Sequence, residues 1–209
     1  MKKDQAIEIT GGLSAPSKMP CYSFNIPAKK CITGAKLRKI KGTTCSICYA
    51  LKGRYRFPNV ENALMRRFER LSDPKWIEAM SFLITKVEKS AYFRWFDSGD
   101  IQSVSHLDNI VQVAKNTPYI THWLPTREYS FVSEYLASGK VFPSNLTVRI
   151  SAYFMNGAPP TTIANRLGVV TSGVNKDSYN CPAPNQDNKC LNCRACWDKN
   201  VDNVSYKPH

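Results

Sequence analysis

The 209-residue chain, 43% hydrophobic and 22% charged, is long enough for one sizeable core, and its composition excludes a collagenous, low-complexity or disordered class. No run of about 18 apolar residues occurs, and the start, MKKDQAIEITGGLSAPSKMP, has no apolar run of signal-peptide length, so the expectation is a cytoplasmic protein without membrane contact. The formal charge of +13 speaks for an anionic partner.

In chain order, the first segment that stands out is residues 29–70, where twelve Lys and Arg meet only Glu61 and Glu69, a local net of +10. Such a patch suits an anionic small molecule or a nucleic acid, because counterion release favours the contact; a solvated basic face is the competing reading. Within it, VENALMRRFERL carries Leu64, Met65, Phe68 and Leu71 on one helical face. SDPKWIEAMSFLITKVEK follows as a helix, with Asp73 as N-cap, Pro74 at the first helical position and an apolar stripe from Trp76 to Val87.

AYFRWF (91–96) reads as a strand, SVSHLDNIVQVAKN as a helix capped by Ser103, YITHWL (119–124) as a strand and EYSFVSEYLAS as a helix. LTVRISA (146–152), the short helix TTIANRL and GVVTSG (168–173) complete the alternation. Strands separated by amphipathic helices predict parallel pairing through right-handed crossovers, hence an α/β fold, either a partial (βα) barrel or an open sheet. In both, chemistry collects at the carboxyl ends of the strands. The segments there are DSGD (97–100), PTRE (125–128), SAYF (151–154) and TSG (171–173), which suit an active-site rim and plain turns equally.

Eight cysteines fall into two groups of four. In a reducing compartment they speak for metal ligation, with four disulfides in a secreted chain as the competing reading. CPAPNQDNKCLNCRACW places Cys181 ahead of Cys190-x2-Cys193-x2-Cys196, the internal spacing of a ferredoxin run around one [4Fe–4S] cluster. Zinc more often takes two x2 knuckles separated by a longer loop, and is the alternative. The first group is looser: Cys31, Cys45 and Cys48 are the expected ligands, and Cys21 is either a fourth ligand or a buried small residue. Three ligands would leave one iron open for chemistry. A thioredoxin-like dithiol competes for CSIC (45–48). Of the three histidines, His106 lies in an apolar helix where a structural role is the commoner case, and His122 and His209 suggest no site. No P-loop, dinucleotide fingerprint or Ser/His/Asp arrangement is present.

CSICYALKGRY, FRWFDSGDI, THWLPTRE, LTVRISA and CPAPNQDNKCLNCRACW, in this order across residues 20–200, resemble the bacteriophage family known as gene product 88. That resemblance implies phage origin, a location in the host-cell cytoplasm and no established activity. More distantly, the arrangement resembles the radical S-adenosylmethionine enzymes, partial (βα) barrels in which a three-cysteine loop after the first strand holds a [4Fe–4S] cluster. On that resemblance YSFNI (22–26) is the first strand, Ile47 is the apolar residue before the last cysteine, and Ser98, Gly99 and Asp100 match the segment that meets the cofactor's amine. The C-terminal quartet then corresponds to an auxiliary cluster. The sequence departs from the motif in having thirteen residues between Cys31 and Cys45, an insertion whose loop-closure cost is small.

The resulting expectation is an α/β fold: a partial (βα) barrel over residues 1–180, radical-SAM-like, with a Cys-rich cluster-binding extension over 181–209 packed on it. Its metal ligands are Cys31, Cys45, Cys48, Cys181, Cys190, Cys193 and Cys196, holding one or two [4Fe–4S] clusters, with zinc as the alternative. Ser98, Gly99, Asp100, Arg127, Glu128, Arg149 and Ser151 are the candidate cofactor-binding rim for S-adenosylmethionine, salt bridging being the competing role of Arg127, Glu128 and Arg149. The expected activity is a radical-type oxidoreductase, lyase or transferase acting on a nucleotide or nucleic acid, served by an electron-donor protein. Two other classes stay open. One is a cluster- or zinc-stabilised module binding nucleic acid or a host protein through residues 29–70, where Tyr49, Tyr55 and Phe57 interleave with Lys52, Arg54 and Arg56. The other is an electron-transfer protein.

Overall fold

The computed structural model describes residues 1–208, and His209 lies outside the described residues. Six parallel strands form one sheet: β1 (Ser23–Phe24), β2 (Tyr92–Trp95), β3 (Thr121–Thr126), β4 (Leu146–Met155), β5 (Val170–Val174) and β6 (Asn203–Tyr206). Their order in the sheet is their order in the chain. Because the winding never reverses and parallel crossovers share one hand, the helical connections fall on the same face and no topological switch point forms, whereas the segment that joins β5 to β6 crosses the opposite face. The expected α/β class with parallel pairing is therefore present. The order ends at β1 and β6, so among the described residues the ladder is an open one.

Helices α1 (Lys3–Thr10), α2 (Ile32–Leu37) and α3 (Pro58–Glu69) precede β2 together with α4 (Trp76–Val87). Then α5 (Val104–Asn116), α6 (Tyr129–Ala137) and α7 (Thr161–Leu167) alternate with the later strands. The main core joins one face of the sheet to α4, α5 and α6: Phe24, Phe93, Trp95, Leu124, Leu146 and Val148 meet Trp76, Met80, Ile84, Leu107, Ile110, Val111, Val132 and Tyr135. Strand side chains alternate between faces. Tyr92, Trp123, Thr147 and Arg149 therefore point the other way, onto the segment that runs from Cys181 to Val201 and then returns to the sheet as β6.

Ser103 caps α5 as expected, its Oγ accepting from the His106 amide at 3.0 Å. Asp73 does not cap α4. Its carboxylate accepts from the Lys75 amide at 2.9 Å and its carbonyl from the Trp76 amide at 2.9 Å, so Asp73-Pro74 forms a turn and the helix begins at Trp76.

Two histidines are buried in the main core. His122 stacks on Trp95 at 6.0 Å and places Nε2 2.8 Å from Thr117 Oγ1, whose own proton goes to the Val113 carbonyl; Nε2 is therefore the donor. His106 packs edge-on to Trp76 and Phe96, with Nδ1 accepting from the Gln102 amide. Burial lowers their pKa values to about 3 for His122 and about 4 for His106. The unfolded chain protonates both near pH 6.5, so it binds more protons than the folded chain just below that pH. Stability should therefore fall as pH drops from about 6.5 towards 4, by about 2–3 kcal/mol per histidine by pH 4.5. Asp100, raised by burial to about 6, and Asp97, also raised by burial, oppose this in part. Urea midpoints measured from pH 7 to 4.5 should show the decline, and His106→Gln with His122→Gln should flatten it.

Candidate metal centre

The C-terminal cysteines are set out by backbone hydrogen bonds that the sheet supplies. The Cys181 amide donates to the Ser205 carbonyl of β6 at 3.0 Å, the Cys190 amide to Lys18 at 3.1 Å, and the Cys193 amide back to Cys190 at 2.9 Å. Cys196 sits in the 3₁₀ turn Ala195–Trp197. All four line one cavity of about 100 Å³, with Pro182, Trp197 and Val204 in its wall. Trp197 seals the side facing the sheet: its ring meets Trp123 at 5.2 Å and Tyr92 at 5.5 Å, and its Nε1 donates to the Phe93 carbonyl at 2.9 Å.

Arg149 fixes this turn to the sheet. The guanidinium has no exposed surface and donates to five backbone carbonyls: Cys196, Thr171, Val201, Ala195 and Asp198, at 2.6–3.0 Å. Cys196 Sγ lies 3.2 Å from the buried Tyr206 hydroxyl, and burial pushes its thiol up to about 12. Cys21 packs in the same apolar cluster as Trp123, Trp197 and Cys196, and is also pushed up to about 12, first by burial and then by Glu88. It therefore belongs beside the C-terminal group rather than with Cys31, Cys45 and Cys48.

The other three thiols sit at the carboxyl ends of the strands. Cys31 precedes α2, Cys45 lies in the 3₁₀ turn Thr44–Ile47, and Cys48 follows it. The loop docks on the end of β4 by a Thr43–Phe154 bridge, by the Met155 amide donating to Gly42 at 2.9 Å, and by Thr44 Oγ1 donating to the Tyr153 carbonyl at 3.3 Å. Glu128, after β3, receives the Thr33 amide at 2.8 Å and the Thr33 hydroxyl at 2.7 Å, tying down the turn that follows Cys31. Gly34 faces the thiols: a Cβ there would lie 3.6 Å from Cys31 Sγ and 3.6 Å from Cys45 Sγ, so the bare backbone leaves the space between two sulfurs clear.

Asp100 accepts from Thr126 Oγ1 at 2.6 Å, the Ile101 amide at 2.8 Å and the Arg127 amide at 2.9 Å. Burial raises its pKa to about 6 against those bonds. The Arg127 guanidinium donates to the Ala152 carbonyl at 3.3 Å and lowers the pKa of the Cys45 thiol, which burial raises by more. Burial also raises the Cys31 thiol, with Asp100 adding to the shift. A redox dithiol needs a thiol shifted down and a place at the start of a helix after a strand; Cys45 has neither, which removes the context of that reading.

The other rim residues have protein partners. Ser98 Oγ donates to the Ile26 carbonyl at 2.9 Å. Gly99, at φ +86°, lies against Ile26 so closely that a Cβ would fall 2.8 Å from the Ile26 oxygen. Ser151 and Ser172 share a hydrogen bond of 2.9 Å. Asp100, Arg127 and Glu128 thus surround the first thiol group, Ser98 and Gly99 join the ends of β1 and β2, and Arg149 lies under the second group.

Arg94, which sequence reasoning passed over, stands between the two groups. Its guanidinium lies 4.5 Å above the Trp123 ring and donates to the Phe96 carbonyl at 3.4 Å. Burial opposes its charge, but Tyr49, Asp97, Tyr206 and Cys196 more than offset this and hold it protonated.

A family model described as gene product 88 matches residues 1–199. The chain belongs to the gene product 88 family. That match supports the phage-family resemblance read from the motifs, and lends none to the resemblance to radical S-adenosylmethionine enzymes. No curated protein and no solved structure matches the chain. No helix among the described residues is long and apolar enough to cross a membrane.

The donor chemistry can be tested against the groups it suggests. Among the described residues no three His, Cys, Asp or Glu side chains converge as closely as ligands of one ion do. A tetrahedral zinc sits about 2.3 Å from four sulfurs, and a cubane cluster needs more room; Cys181, Cys190, Cys193 and Cys196 line a cavity of about 100 Å³. Thiols pushed up by burial stay protonated unless a cation compensates them, and a metal deprotonates a coordinating thiol outright. Both thiol groups are thus compatible with an iron–sulfur cluster in donor type, and the C-terminal group lines a cavity as well.

Arg149→Met should release the C-terminal turn while keeping side-chain volume. Five carbonyls lose their donor, and the expected cost is about 3–5 kcal/mol in a urea titration, with red-shifted tryptophan emission as Trp197 becomes wet.

Proposed function

We propose that this protein is a two-site iron–sulfur protein acting on an anionic substrate. The observation that carries this reading is the partition of its thiols: Cys181, Cys190, Cys193 and Cys196 around one cavity, and only Cys31, Cys45 and Cys48 at the carboxyl rim. The C-terminal quartet would supply every protein ligand of one [4Fe–4S] cluster, which suits electron transfer. The rim trio would leave one iron without a protein thiol, because Cys21 packs elsewhere. A bound cluster supplies electrons and, at an open iron, a Lewis-acidic position.

The chain's own residues do the rest. Glu128 and the Thr43–Phe154 bridge hold the thiol loop on the sheet, Gly34 keeps the space between two sulfurs clear, and Arg127 places a cation beside Cys45. S-adenosylmethionine is the finer form of this proposal. Ser98 and Asp100 already hydrogen-bond within the protein, Ser98 to Ile26 and Asp100 to Thr126, Ile101 and Arg127. Arg127 is the rim group best placed to meet its carboxylate.

Anaerobic purification should yield iron and sulfide in ratios near eight each per chain, with zinc at trace level, and an electron paramagnetic resonance spectrum of the reduced protein with two components. A zinc-only preparation would sink the proposal. A rim-site signal unmoved by S-adenosylmethionine would remove that cofactor and keep electron transfer. Gly34→Ala should roughly halve the iron while leaving the C-terminal signal intact. Tyr206→Phe removes a hydrogen bond to Cys196 and should shift the potential of the C-terminal cluster to more negative values, read by redox titration.

A further inference from the structure

The geometry points to a single-stranded nucleic acid as the occupant of the surface around Cys31, Cys45 and Cys48. This names the substrate class of the rim site and rests in part on the reading above. Along the chain, exposed Lys36, Lys39 and Lys41 precede the thiol-bearing turn, and exposed Lys52, Arg54 and Arg56 follow it. Among the described residues none of these six has a carboxylate partner; the one ion pair of the segment joins Lys29 to Glu61. The nearby acids Asp100 and Glu128 are buried and hydrogen-bonded, and the segment's own acids are only Glu61, paired with Lys29, and Glu69.

The second observation is apolar. Of the large hydrophobic residues exposed among the described ones, Ile32, Ile40, Tyr49 and Phe57 lie in this same segment, and Phe154 lies on the strand end that pairs with it. Cations alternating with half-exposed rings match a strand whose phosphates and base faces are both accessible. A duplex would bury its bases, and its major groove takes a helix or a β-ribbon, whereas residues 49–56 are two short 3₁₀ turns. An acidic peptide would use the cations and leave the rings without a role.

The test is fluorescence anisotropy with a labelled 20-nucleotide single strand of mixed sequence, titrated with the cluster-loaded protein. Reversal of Lys52, Arg54 and Arg56 to Glu should weaken binding by about thirtyfold or more and flatten its salt dependence. The same reversal at Lys86, Lys115 and Lys199, exposed away from the rim, should change it less than about threefold. Phe57→Ala, which removes an exposed ring and no charge, should cost about tenfold for the strand and nothing for inorganic polyphosphate. Equal losses from the two reversals, an unchanged Phe57→Ala, or tighter binding to duplex each overturn the proposal. Cys45→Ser with Cys48→Ser separates the two readings: iron content reports the cluster, and strand binding that persists without it supports the surface independently.

Discussion

A parallel sheet wound in chain order takes all its helices on one face, and the other face must be covered by something else. In this protein that cover is the segment from Cys181 to Val201, which has almost no regular structure with which to satisfy its own backbone. Arg149 resolves both problems. One guanidinium, projecting from the middle of β4, supplies donors to carbonyls spread from Ala195 to Val201 and to Thr171 of β5. The cysteine turn is folded around that cation, and Trp197 and Thr147 complete the seam. A lysine there offers three donors in no fixed plane, so the arrangement requires an arginine.

Charge balance follows from the same geometry. Thiolate-ligated clusters carry net negative charge, and the structure places buried cations where that charge would lie: Arg149 under the C-terminal turn, Arg94 between the groups and Arg127 beside Cys45. These three come from β2, from the end of β3 and from β4, at the rim or on the face away from α4, α5 and α6. The exposed lysines of residues 36–56 are therefore not needed for internal neutralisation, and their charge is available outward.

Much of this was legible in the sequence, and the failures have physical causes. The stripes of α4 and α5 and the alternation of β2 to β5 were readable because each element buries one face against the main core. Helix α1 escaped because only Ala6 and Thr10 are buried, too few to make a stripe, and β6 because four residues acquire strand identity only by pairing with β5. The C-terminal quartet was read from spacing alone. The role of Arg149 was not, although a charged residue between Val148 and Ile150 in a strand with both faces covered is itself a signal that it answers buried carbonyls. Gly34, a lone glycine inside a short helix between two cysteines, was a second such signal.

The position of Cys21 carries the argument furthest. On spacing, it was equally a fourth ligand for the first group or a packing residue. Its burial with Trp123, Trp197 and Cys196 places it across the sheet face, under the C-terminal turn. The carboxylates nearest the rim trio are already engaged, Asp100 by three donors and Glu128 by both donors of Thr33. Under the proposed reading, no protein thiol would fill the fourth position at the rim, beside the strongly basic segment of residues 29–70. An anionic substrate drawn to that segment would then meet the one iron left open.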